Sequence, residues 1–135
     1  MVQQITVGFA ILFGIVVSLG YIPPFITDLG EGEKLMFNLF KISLFDDITH
    51  GVTAIAALAA GLHSRKASLL FLTAFGFYYA LDATFYLIYG LFNELTWVQD
   101  VLLNAPHVAI SATMLAIVYW FAPRSRTVGP HEGEP

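Results

Sequence analysis

The chain has 135 residues, of which 57% are hydrophobic, 15% aromatic and only 12% charged, with a net charge of −4. A water-soluble domain carries about 25% charged residues, so this composition excludes an ordinary soluble surface and points to the lipid bilayer as solvent. The lack of a basic patch excludes nucleic acid as a partner. The lack of cysteine excludes disulfides, thiolate metal sites and cysteine nucleophiles.

Four apolar stretches follow in chain order, from about 5 to 22, 48 to 62, 67 to 91 and 98 to 122. Crossing the hydrocarbon core takes about 20 helical residues. The third and fourth stretches clear that length, while the second spans only if Asp46, Asp47 and His50 enter the membrane edge. The first has no Lys or Arg before Lys34. It therefore lacks the basic start of a secretory signal and is read as a retained helix. Between the first two, Pro23-Pro24 stops the helix because proline cannot continue the hydrogen-bond ladder. Leu35, Met36, Leu39, Phe40 and Ile42 then recur at mostly helical spacing, which predicts an amphipathic helix over 33–43 on the membrane surface. An ordered loop packed on the bundle is the alternative. The Gly- and Glu-rich end, 125–135, reads as a disordered cytoplasmic tail.

These elements predict an all-α integral membrane four-helix bundle over 1–124. Arg65 and Lys66 lie in the turn after helix two, and Arg124 and Arg126 lie just beyond helix four. The positive-inside rule makes that side cytoplasmic. Both termini are then cytoplasmic, the 23–46 and 92–97 connections face outward, and the expected location is the inner (plasma) membrane. Setting His50 on His107 also sets Asp47 on Asn104, a weak internal match that suggests a tandem repeat of two helical hairpins.

Ionisable groups inside a bilayer are costly, and each is by default a functional hypothesis. Three qualify: His50, Asp82 and His107. His50 is 13 residues from His63, Asp82 is 15 from Ala67 and His107 is 15 from Ala122. At 1.5 Å per residue all three lie roughly 20 Å from the cytoplasmic side, hence together in the outer half. On helix three, Tyr78, Tyr79, Asp82 and Tyr86 share one stripe; on helix four, Asn104, His107 and Ser111 share a face. Asp47 and Asn104 precede the histidines by three residues and are candidates to hold their second ring nitrogens, with Tyr78, Tyr79, Tyr86 and Ser111 as further polar support.

This constellation allows several functions. Two His and one Asp can form a three-ligand set for a transition metal such as Cu, Zn or Fe. Two histidines on parallel helices can instead grip a b-type haem from two sides. A third use is proton or ion passage through Asp82 and a histidine. Against these stands plain interhelical hydrogen bonding, worth about 0.6 kcal/mol per contact on average. No GxSxG, HExxH, Walker or GxGxxG motif is present, which argues against hydrolase and nucleotide chemistry. Small size and the lack of a soluble domain favour an accessory subunit of a larger membrane complex. Its partners would be the lipid bilayer and other membrane subunits or further copies of itself.

The run Leu39-Phe40 through Asp46-Asp47-x-x-His50-Gly51, the Phe75-Gly76-x-x-Tyr79 stretch and Asn104-x-x-His107 resemble a family of small four-helix bacterial membrane proteins of unknown function. The resemblance covers about residues 8 to 124. It implies the four-helix architecture and the paired histidines, and it supplies no activity. That family usually has another residue where Asp82 stands, so the resemblance does not extend to that acid.

Overall fold

The structure is a computed structural model, and it describes residues 1–92 and 96–122. The predicted tail, 125–135, with Arg124, Arg126 and His131, lies outside the described residues, as does the middle of the 92–97 connection.

Four helices are present: α1 (Val2–Leu19), α2 (Leu44–His63), α3 (Arg65–Phe92) and α4 (Trp97–Phe121). Three of them, α1, α3 and α4, are long and apolar enough to cross a membrane. The 20-residue α2 is not among these, because its first turns hold Asp46, Asp47 and His50. Local chemistry sets its limits. Ser43 and Asp46 form a reciprocal capping box at its start, satisfying amides that the helix leaves free. Thr96 and Gln99 do the same for α4. Between α2 and α3 only Ser64 is non-helical, and its hydroxyl accepts the Ala67 N–H. The chain therefore reverses there in one tight turn.

The connection from α1 to α2 departs from expectation. Pro23–Phe25 form a short 3-10 turn, and three antiparallel strands follow in the order β1 (Ile26–Gly30), β2 (Glu33–Met36) and β3 (Phe40–Ser43). The amphipathic helix predicted over 33–43 is therefore a hairpin, while the fold as a whole is mostly helical, consistent with the all-α expectation. The turns explain the hairpin. Gly30, Glu31 and Gly32 all take positive φ, as do Phe37 and Asn38. Leu39 N–H closes onto the Met36 carbonyl at 3.0 Å, and positive φ at both central residues is the pattern of a type I′ turn, which suits a β-hairpin. An asparagine and paired glycines tolerate that conformation better than a helix would tolerate them. Met36 and Ile42 turn inward and are buried.

The helices pair as hairpins. α1 packs closely on α2, and α3 on α4, while α2 and α1 share a narrower seam with α3. Small residues allow the close pairs. At Gly61 a side chain would meet Val7 and the Gln3 carbonyl, and Gln3 Nε2 donates to the Gly61 carbonyl at 3.0 Å. At Gly76 a side chain would meet Leu115 and Met114, and Ser111 Oγ donates to the Gly76 carbonyl at 2.9 Å. Phe13, Ala57, Leu72, Tyr79 and Met114 fill the centre. Large apolar side chains such as Ile15, Ile55, Leu81, Phe85 and Trp120 face outward around the bundle. So large an exposed apolar surface suits lipid rather than water. The sheet closes one end of the bundle, here called the sheet end; Ser64 marks the opposite, turn end.

Candidate functional site

His50 lies in the second turn of α2, Asp82 towards the sheet end of α3 and His107 in the middle of α4. Counting along the helices placed all three at one level, and the side chains do meet there. His107 Nδ1 and Asp82 Oδ2 are 2.7 Å apart, with both side chains about one quarter exposed. The His50 and His107 rings have centroids 6.1 Å apart and planes tilted by 46°. Tyr79 packs beside both, 6.5 Å from the His50 ring and 5.4 Å from the His107 ring. Phe13 of α1 stacks on Tyr79 at 5.5 Å and on His50 at 6.0 Å. The Tyr79 hydroxyl, fully buried, donates to Thr53 Oγ1 at 3.3 Å.

This geometry has a chemical consequence. With Nδ1–H donated to the carboxylate, His107 keeps Nε2 as its open position, which is the arrangement that orients ligating or proton-transferring imidazoles. Asp82 thus supplies the support that had been expected from Asn104. Asn104 instead donates from Nδ2 to the Asp100 carbonyl at 2.9 Å and to Asp100 Oδ1 at 3.0 Å.

Asp47 is also engaged elsewhere. Its Oδ2 lies 2.5 Å from Lys34 Nζ and accepts the Tyr21 hydroxyl at 2.9 Å. Lys34 Nζ further donates to the Gly20 carbonyl at 2.7 Å and sits 3.8 Å above the Tyr21 ring. A nearly buried carboxylate pairs with the nearest cation. That cation comes from β2, an element the helical reading of 33–43 had hidden. Ser111 likewise serves the α3–α4 contact rather than the histidines. Tyr78 packs edge-on to Tyr79. Tyr86 stays partly exposed on the cavity wall.

The three-ligand metal set is not formed. Among the described residues no three His, Asp or Glu side chains are grouped to hold a metal ion. Asp82 is paired with His107, and the His50 ring packs beside the stacked Phe13 and Tyr79 rings.

Above the histidines, towards the sheet end, lies a cavity of about 570 Å³. Leu12, Phe13 and Val16 of α1 form one wall, Leu103 and Ile110 of α4 another, and Met36, Phe40 and Ile42 of the sheet roof it. Its few polar groups include His50, His107, Asn104 and Asp100. A second space of only about 30 Å³ is lined by His50, His107, Asp82, Tyr78 and Tyr86. Asp100 had escaped notice in the sequence. Its signal was its spacing, four residues before Asn104 and seven before His107, which puts all three on one helical face.

Comparison with protein-family models, with curated proteins and with solved structures finds no match for this chain.

Proposed function

We propose that the protein is a multi-pass membrane protein that binds an amphiphilic small molecule in the sheet-end cavity, with the molecule's polar end against His50 and His107. The observation that carries this reading is the cavity itself: about 570 Å³, mostly apolar walls, and two histidines at its floor, one oriented by Asp82. Binding sites for small molecules have this character, a largely apolar concavity with a few fixed polar groups. A b-type haem is the form of ligand that would use both imidazoles at once, and a colourless lipid-like molecule would use them as hydrogen-bonding partners.

Four spans, with α2 among them, accord with the same features. The Lys34–Asp47 pair neutralises the acid that makes α2 polar, and Asp46 is spent on the helix cap. Trp97 and Trp120 are both exposed at opposite ends of α4, about 35 Å apart along the axis, which suits the two interfaces of a bilayer. Arg65 and Lys66 at the turn end favour that end, with both termini, on the cytoplasmic side of the plasma membrane, and the cavity on the outer side. Below the histidines Phe9, Ala57, Phe71 and Leu72 form a closed apolar core, which argues against proton or ion passage. The outward aromatic faces suit lipid as well as neighbouring subunits, so the accessory-subunit reading has no observation of its own.

The test is to purify the full chain in mild detergent, record its optical spectrum and metal content, and identify organic molecules extracted from it by mass spectrometry. We expect one organic molecule per chain in the wild type and its loss in Leu103→Trp, which fills the cavity, with helical content retained. An identical extract from both proteins would sink the proposal.

A further inference from the structure

Asp100 is 2% exposed, lines the cavity, and its Oδ2 has no hydrogen-bond partner among the described residues. Buried carboxylate oxygens are almost always satisfied, because leaving one without a donor forfeits its hydration. The other oxygen is already held by Asn104 Nδ2 at 3.0 Å. Gly90 of α3 packs directly against the carboxyl group, leaving no room there for a side chain on residue 90. The group is therefore gripped from two sides, with one oxygen buried and left without a donor. An acid in the first turns of α4 is favoured by the helix dipole, but that field supplies no donor to Oδ2.

The described lysine and arginine side chains are paired elsewhere or lie at the opposite end of the bundle. Lys34 pairs with Asp47, and Lys41, which also borders the cavity, pairs with Glu33 at 2.7 Å. Arg65 donates to the Phe121 carbonyl at the opposite end of the bundle, where Lys66 also lies. A carboxylate removed from water calls for a positive partner, and none of these serves it.

We propose that Asp100 anchors an ammonium group of the cavity's ligand, so that the ligand class is an amine whose apolar body carries a second polar group to the histidines. Asp100 precedes His107 by seven residues, about 10 Å along the helix axis. The ligand thus meets the carboxylate at the sheet end and the histidines at the floor, with apolar wall between. This rests on the cavity reading above and narrows it.

The test uses the full chain in lipid nanodiscs, with empty nanodiscs as blank, titrated calorimetrically with 4-phenylbutylamine and with butylbenzene, the same body without the head group. We expect saturable binding of both, the amine tighter, and at least a tenfold loss for the amine alone in Asp100→Asn. The Leu103→Trp variant should lose both. If Asp100→Asn leaves the amine's advantage over butylbenzene intact, the anchoring role is wrong while the cavity reading stands. If neither probe saturates the wild type, the cavity reading fails and this inference with it. Should Asp100→Asn fail to fold, Asn104→Leu, which frees the carboxyl from its clamp, is expected to weaken amine binding and spare butylbenzene; equal effects on the two would overturn the proposal. Nanodiscs of phosphatidylethanolamine against phosphatidylcholine separate a lipid head group from a free amine as the source. Competition only in the former identifies the lipid's ammonium, and equal affinity in both identifies a free amine.

Discussion

Tyr21 sits two residues beyond α1 and gives its hydroxyl proton to Asp47. That hydrogen bond, with the adjacent carboxylate charge, holds the phenol above its ordinary value of 10.0. The proton is bound more tightly in the folded chain than in the unfolded one. The resulting stabilisation is therefore complete below the unfolded value and is lost as pH rises through the folded one. The melting temperature of the wild type should exceed that of Tyr21→Phe at pH 8, and the gap should shrink towards pH 11. A gap that stays constant would mean that the contact does not involve the phenol proton. Residues such as these also show how far the sequence could be read. His50, Asp82 and His107 were found by counting turns, because the axial rise of a helix is fixed. The partners of Asp47 and Asn104 were not, because a three-residue offset defines a face and says nothing of what packs on it. For Asp47 the deciding neighbour was Lys34, brought in by a strand.

At the level of elements, four helices were legible from apolar length, and each began or ended within a few residues of expectation. The strands were not. Over 33–43 the apolar residues satisfy a helical spacing well enough, and the conflicting signals were the glycines at 30 and 32 and the Phe37-Asn38 pair, whose turns reverse the chain. Short strands carry few residues of period two, so turn chemistry decides them. Helix contacts yield a sharper expectation. Gly61→Val forces a side chain against Val7 and the Gln3 carbonyl, and such overpacking should cost about 1–3 kcal/mol. Gly51→Ala meets nothing within 4 Å and should instead stabilise α2 by about 0.5–1 kcal/mol through helix propensity. Unfolding of both variants by a graded denaturing detergent measures the difference; equal stabilities would show that the α1–α2 contact tolerates a side chain.

For the whole molecule, the absence of native cysteine makes orientation directly measurable. Leu29→Cys in β1 and His63→Cys at the end of α2 are both at exposed positions. A membrane-impermeant maleimide should label the first in intact cells and the second only after permeabilisation. Labelling of both from the same side would mean that α2 does not span, and the reverse pattern would invert the topology. The cavity takes one wall from α1 and the sheet and another from α4, while the two hairpins meet along a narrow seam. Neither hairpin contains the chamber, so it comes into being only when the halves dock. An occupant bridging both walls would act as a clasp between them, and its departure would loosen the seam before it loosened either hairpin.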